Sequence, residues 1–115
     1  MKISFIGGGN MATALIAGLA GKVAQAADIH VVDPNADALE RLRTQYGVTT
    51  SPDIGAAVAA SDVIVLAVKP QQMRDVTVHL QSQLANKPLL LSIAAGIRGA
   101  DLSRWLGGYT RVVRA

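Results

Sequence analysis

Residues 2–12 read Lys2-Ile3-Ser4-Phe5-Ile6-Gly7-Gly8-Gly9-Asn10-Met11-Ala12. A short apolar run, Lys2–Ile6, ends in glycines, and an alanine-rich segment, Met11–Ala20, follows with Gly21 as its stop. A strand that turns through glycine directly into a helix is the first βα unit of an open parallel sheet. The loop fits G-x-G-x-x-A, a permitted variant of the dinucleotide fingerprint. Gly7 allows the tight turn off the strand. Gly9 has no Cβ, so a pyrophosphate can approach the backbone, and Ala12 keeps the helix close to the strand. The helix N-terminus then offers free N–H groups and a favourable dipole to the phosphates. Ile6, Gly7, Gly8, Gly9, Asn10, Met11 and Ala12 are therefore the first candidate cofactor-binding residues.

Outward from this loop the chain alternates between the two kinds of element. Ile29–Val32 reads as a strand closed by Asp33-Pro34, because proline cannot donate to a ladder. Asn35 is a good N-cap for a helix over Ala36–Gln45, and Gly47 suits the left-handed position beyond its end. Val48–Thr50 is a short strand. Asp53 is expected to cap a small helix, Ile54–Ala60. Val63–Val68 is apolar at every position, as a central parallel strand buried on both faces should be. Lys69-Pro70 ends it. Gln71–Leu84 carries Met73, Val76 and Leu80 at helical spacing. Leu89–Ile93 is a further strand, a short helix starting at Gly99 or Asp101 runs to Leu106, and Arg111–Arg114 is a sixth strand. Such alternation predicts an α/β fold: a Rossmann-like doubly wound parallel sheet in a three-layer αβα arrangement.

Composition excludes other classes. The chain has 115 residues, 50% hydrophobic, 17% charged and 3% aromatic, enough for one domain with a real core and too apolar for disorder. It contains no cysteine, which removes disulfide scaffolds, thiolate metal sites and cysteine nucleophiles, and is compatible with the cytoplasm. Its two histidines, His30 and His79, are far apart in sequence, so no metal site is expected. The formal charge of +3 lies entirely in residues 98–115, where Arg98, Arg104, Arg111 and Arg114 face Asp101 alone. Seven basic and seven acidic residues balance over residues 1–97. No basic stripe with interleaved aromatics is present, which argues against nucleic acid. Lys2 and Ala24-Gln25-Ala26 resemble a secretory signal, but the glycines interrupt its apolar region. The longest apolar run, Val63–Val68, is far below a membrane span.

Ligands of open α/β sheets sit at the carboxyl ends of the strands, at the topological switch point. Three segments should meet there: Gly7–Ala12, Ala67-Val68-Lys69-Pro70 and Ser92-Ile93-Ala94-Ala95-Gly96. The small residues of the last two, Ala67, Val68, Pro70, Ala94, Ala95 and Gly96, suit a flat ring lying against backbone. Lys69 could touch a phosphate, a ribose or a substrate carboxylate. Asp33 ends the second strand where an acid usually accepts from the adenosine ribose 2′-hydroxyl, which favours NAD over NADP. Asn35 could donate to a ribose or to a 2′-phosphate, and the reach of Arg41 and Arg43 is open. S-adenosylmethionine-dependent methyltransferases share a glycine-rich first loop. They place an acid before the first glycine, where this chain has Ile6.

Phe5–Ala12, Ala67-Val68-Lys69-Pro70 and Ser92–Gly96, at these separations, resemble pyrroline-5-carboxylate reductases. Gly47-Val48 and Arg111-Val112-Val113-Arg114-Ala115 fit the same pattern. The resemblance covers essentially the whole chain. It implies hydride transfer from NADP(H), alternatively NAD(H), to 1-pyrroline-5-carboxylate, giving L-proline. By the same resemblance Gly7–Ala12 binds the pyrophosphate and Asp33 to Asn35 the adenosine ribose. Ala67–Pro70 and Ala94–Gly96 flank the ribose and nicotinamide. No metal and no membrane or nucleic-acid partner are implied. Members of this family are about twice as long and continue into a helical domain that makes a homo-oligomer and most of the substrate pocket. Residues 1–115 are thus expected to be the dinucleotide-binding domain, inactive alone and with no catalytic residue assigned. Two other readings are a complete non-catalytic nucleotide-sensing domain and the cofactor domain of a hydroxyacid-type dehydrogenase.

Overall fold

The computed structural model describes residues 1–93 and 97–114. In chain order the elements are β1 (Ile3–Ile6), α1 (Asn10–Leu19), β2 (Ile29–Val32), α2 (Ala36–Tyr46), β3 (Thr49–Ser51) and α3 (Ala56–Ala59). There follow β4 (Val63–Leu66), α4 (Pro70–Leu80), β5 (Leu89–Ser92), α5 (Gly99–Trp105) and β6 (Val112–Arg114). All pairings are parallel, in the order β3-β2-β1-β4-β5-β6. The chain moves outward from β1 to β3, then returns to β1's other side with β4. The switch point therefore lies at the carboxyl ends of β1 and β4.

The period-two alternation of strand side chains divides the core into two layers. Phe5, Val31 and Val65 face Ala12 and Ile16 of α1 and Leu39 and Leu42 of α2. Their neighbours Ile6, Val32, Ile64 and Leu66 face the other way, against Val58 of α3, Met73 and Leu80 of α4 and Leu102 of α5. Helices thus cover both faces of one sheet, the three-layer doubly wound arrangement read from the sequence. Because both faces are covered, β1 and β4 need apolar residues at almost every position, and Ser4 is the polar exception. Its hydroxyl is buried and hydrogen-bonded to that of Ser61.

Local chemistry sets several boundaries. Asn35 Oδ1 accepts from the Asp37 and Ala38 amides at 3.0 and 3.2 Å, capping α2, and Gly47 closes the helix at φ 74°. Proline opens α4 at its first turn, where its missing N–H costs nothing.

Most expected boundaries are within a residue or so of the observed ones, and four elements change in an instructive way. The strand expected over Val63–Val68 stops at Leu66, since Ala67–Lys69 already turn toward α4. The helix expected over Ile54–Ala60 shortens to Ala56–Ala59 and is preceded by Gly55, not capped by Asp53. The Asp53 carbonyl instead accepts from the Ser51 hydroxyl at 2.8 Å. The helix expected to reach Leu84 ends at Leu80, and a 3-10 turn, Gln81–Gln83, carries the chain on to the buried Leu84. Finally, the third strand is shifted by one residue, to Thr49–Ser51.

Candidate functional site

The glycine loop joins β1 to α1 at the centre of the sheet. The Gly7 amide donates to the Val32 carbonyl at 2.7 Å, while the Ala67 amide donates to the Ile6 carbonyl at 2.9 Å. The loop is therefore tied to β2 on one side and to the end of β4 on the other. Gly7 holds φ 104°, a conformation that L side chains avoid, and a Cβ there would lie 2.7 Å from the Ala67 carbonyl oxygen. Gly8 is also confined, 3.2 Å from Leu42 Cδ1 by the same measure. Gly9 differs: a Cβ built on it meets no atom within 4 Å. The space in front of its backbone is open, as close approach by a ligand requires.

Behind Gly9, α1 begins without a side-chain cap and without an acid in its first turn. Its first amides remain available to an anion, and the helix dipole favours one. Ala12 is buried and packs α1 onto the sheet, as its small size permits. Met11 is 60% exposed on the outer side of α1.

Asp33 is fixed from two directions. Oδ2 accepts from the Gly8 amide at 2.8 Å and Oδ1 accepts from the Asn35 amide at 2.8 Å. The carboxylate thus bridges the glycine loop and the start of α2, and stands at the carboxyl end of β2. The Asn35 side-chain oxygen is committed to the α2 cap. Arg43 pairs with Glu40 on the exposed face of α2. The guanidinium raises its own pKa through that bond, and Glu40 is held below the usual carboxylate range by the hydrogen bond and charge of Arg43.

A cleft of about 680 Å³ opens over the carboxyl ends of the strands. Ile6, Gly7, Gly9, Asp33, Ala67, Val68 and Lys69 line it beside Val32, so the structure gathers these seven sequence-derived candidates around one space. Gly8, Asn10, Met11, Ala12, Asn35 and Pro70 do not line it. They shape the loop or the helix starts instead. Ala94, Ala95 and Gly96 lie outside the described residues.

The far wall of the cleft was not legible as a site. It is made by Pro52, Asp53 and Ile54 after β3 and by Gln72, Asp75, Val76 and His79 of α4. On α4 these residues look like an ordinary polar face with one valine, and no motif marks them. The Asp53 loop is braced by a polar relay. His30 shares hydrogen bonds with the Thr49 hydroxyl at 2.6 Å and the Ser51 hydroxyl at 2.9 Å, and Ser51 donates to the Asp53 carbonyl. Burial lowers the His30 pKa below 6.5.

An open glycine backbone, an uncapped helix start and a fixed acid at the end of β2 together suit a dinucleotide: pyrophosphate over Gly9, adenosine ribose beside Asp33. The far wall offers apolar side chains for a flat base and polar ones for its edge.

Comparison with known proteins agrees with this geometry. Residues 2–96 match the family model described as NADP oxidoreductase coenzyme F420-dependent. Over 113 residues the chain is 42% identical to pyrroline-5-carboxylate reductase of Pseudomonas aeruginosa, covering 98% of this chain and 41% of that protein. A solved pyrroline-5-carboxylate reductase from Coxiella burnetii superposes with TM-score 0.92 at 37% identity, over 98% of this chain and 42% of that one. The Plasmodium falciparum pyrroline carboxylate reductase, solved with NADP bound, shares the fold with TM-score 0.81 at 23% identity, over 99% of this chain and 41% of that one. The chain spans about two fifths of the length of the curated relatives it matches. Among the described residues no helix is long and apolar enough to cross a membrane.

Proposed function

The chain belongs to the family described as NADP oxidoreductase, coenzyme F420-dependent, and we propose that within it this chain is the dinucleotide-binding domain of a pyrroline-5-carboxylate reductase. The observation that carries the proposal is the clear space in front of Gly9, set over the cleft at the switch point, in a chain with such relatives. The ligand is NADP(H), alternatively NAD(H). When bound, the dihydronicotinamide supplies a hydride to the C=N carbon of 1-pyrroline-5-carboxylate, and with a proton on nitrogen the product is L-proline.

This chain's residues bind and orient. The Gly7–Ala12 backbone and the first turn of α1 hold the pyrophosphate. Asp33 holds the loop and faces the adenosine ribose. Ala67, Val68, Lys69 and Pro70, with Ala94–Gly96, flank the nicotinamide ribose and ring, where small side chains let the ring approach the backbone. No catalytic residue is assigned in this chain. The substrate pocket and a homo-oligomeric interface belong, in this reading, to the further length that the relatives carry, and the cytoplasm is its compartment.

Titration of the purified chain with NADH and with NADPH tests the proposal, followed by energy transfer from Trp105 to the dihydronicotinamide and by calorimetry. Saturable one-to-one binding of at least one dinucleotide is expected, with no turnover of 1-pyrroline-5-carboxylate. Failure to bind either would overturn the proposal.

A further inference from the structure

We infer that His30 is a positioning residue for the dinucleotide cleft: through Ser51 it holds the two loops, after β2 and after β3, that form one side of that cleft. The inference rests on the dinucleotide reading above and goes beyond it, since His30 is not part of the cleft lining.

Three observations carry it. First, the ring is aligned with β3. His30 stands opposite Thr49 in the register and Val32 opposite Ser51, so the two β3 hydroxyls share one face. Each meets one ring nitrogen, Thr49 at Nδ1 over 2.6 Å and Ser51 at Nε2 over 2.9 Å. Second, the hydrogens run one way. The Asp53 carbonyl can only accept, so the single Ser51 proton goes to it, and Ser51 Oγ must then accept from Nε2. The neutral ring therefore carries its hydrogen on Nε2, and Nδ1 accepts from Thr49. Donation passes from Thr49 to His30 to Ser51 to Asp53, with both ring nitrogens used.

Third, Ser51 holds both loops. Its hydroxyl fixes Asp53, and its backbone carbonyl accepts from the Asp33 amide at 3.3 Å. Asp33 in turn holds the Gly8 amide. β3 is a three-residue strand at the edge of the sheet, paired with β2 alone, and α3 after it starts without a side-chain cap. With so few other bonds there, the relay is a large part of what fixes this wall.

Protonation opposes the arrangement. A charged ring donates from both nitrogens, and Thr49 must then turn its proton to the Ile29 carbonyl, 3.3 Å away. Burial also disfavours the charged form. The charged groups that share a small cavity of about 110 Å³ with the ring are Lys2 and Asp28, while α3 and the turn after it bring only Ala57, Ala60 and Ser61 to it. Dinucleotide binding needs the wall in place, so it favours the neutral ring, and affinity falls as the ring charges.

The first measurement needs no ligand. Nitrogen-15 shifts of the His30 ring in the purified chain should report the Nε2–H tautomer at pH 8, and the Nδ1–H tautomer would overturn the inference. The second is calorimetric titration with NAD⁺ and NADP⁺, the forms that withstand mild acid, at pH 8 and pH 5 in about 300 mM salt, where long-range charge effects are screened. Ser51→Ala should weaken dinucleotide binding about three- to tenfold at pH 8, the worth of one hydrogen bond, and Ser51→Thr, which keeps the hydroxyl, should restore it. The loss of affinity from pH 8 to pH 5 should shrink in His30→Gln, the remainder belonging to His79 in the cleft lining, the Met1 amino group and the carboxylates. Melting curves beside each titration separate loss of the wall from loss of the fold, and the two Ser51 variants decide if His30→Gln does not fold. Wild-type affinity in Ser51→Ala, or an undiminished pH dependence in His30→Gln, would overturn the inference and leave the proposed function standing. Binding of neither dinucleotide by the wild-type chain would overturn both.

Discussion

Gly7 lies so close to the carbonyl of Ala67 that a Cβ on it would stand 2.7 Å from that oxygen. The contact joins the turn after β1 to the residue after β4, so the two central strands share one boundary at the cleft. Gly7 also holds φ 104°. Both facts make it a folding residue before it is a binding residue.

Gly7→Ala should therefore be costly. A left-handed or stranger conformation costs a non-glycine residue about 1–3 kcal/mol, and the clash with backbone adds to it. The expected loss is at least about 2 kcal/mol, read as a lower urea midpoint with unchanged slope. Wild-type stability in this variant would show that the turn relaxes without the close approach.

Gly9→Val should do the reverse. Its side chain enters open space, and the backbone at Gly9 is extended, with φ −76°. Stability should fall by no more than the roughly 1 kcal/mol separating a favourable N-cap from an aliphatic one. Dinucleotide affinity should drop at least a hundredfold, because the side chain fills the pyrophosphate space. Calorimetric titration beside a melting curve separates the two effects, and unchanged affinity would refute the loop assignment.

His30 gives the fold a pH dependence of known sign. Burial keeps its imidazole neutral in the folded chain to lower pH than in the unfolded one. Its contribution is complete above about pH 6.5 and is lost as the pH falls through the lower, folded value. Denaturant midpoints should decline from pH 7.5 toward pH 5, and His30→Gln should flatten that part of the slope. An identical slope in the variant would assign the decline to other groups.

Leu66→Ala tests the core beneath the cleft. Leu66 is fully buried at the end of β4, in the layer that includes Met73 of α4 and Leu102 of α5. A loss of about 2–5 kcal/mol is expected, the range for leucine truncations in packed cores. A melting temperature within a few degrees of wild type would mean that this layer collapses around the cavity.

Much of this architecture was legible because local chemistry and tertiary demand agree. Ile29–Val32 is apolar and is ended by proline, and Asn35 and Gly47 bound α2 as their types require. The glycine loop was legible because Gly7 holds a conformation and a close approach that only glycine allows. The end of β4 was not. Ala67 and Val68 are as apolar as the strand before them, and hydrophobicity does not distinguish a residue buried in a sheet from one lining a cleft. α4 was overread because Leu80 and Leu84 keep helical spacing across a 3-10 turn. The far wall of the cleft was missed for a different reason. Asp53, Gln72, Asp75 and His79 become a wall only when β3 and α4 are brought to the same end of the sheet. Asp33 was identified, but its hold on Gly8 is a contact between residues 25 positions apart that no spacing rule supplies.

The parallel order of the sheet also governs when the loop can form during synthesis. β1 pairs with β2 on one side and with β4 on the other, Ile3 opposite Ile29 and Val63. Parallel pairing of this kind closes long stretches of chain before it returns any stabilisation. The Gly7 amide needs the Val32 carbonyl, and the Ile6 carbonyl needs the Ala67 amide. The glycine loop therefore leaves the ribosome before the residues that shape it. It acquires its shape only after residue 67 has followed, and until then an apolar N-terminal strand waits unpaired for its neighbours.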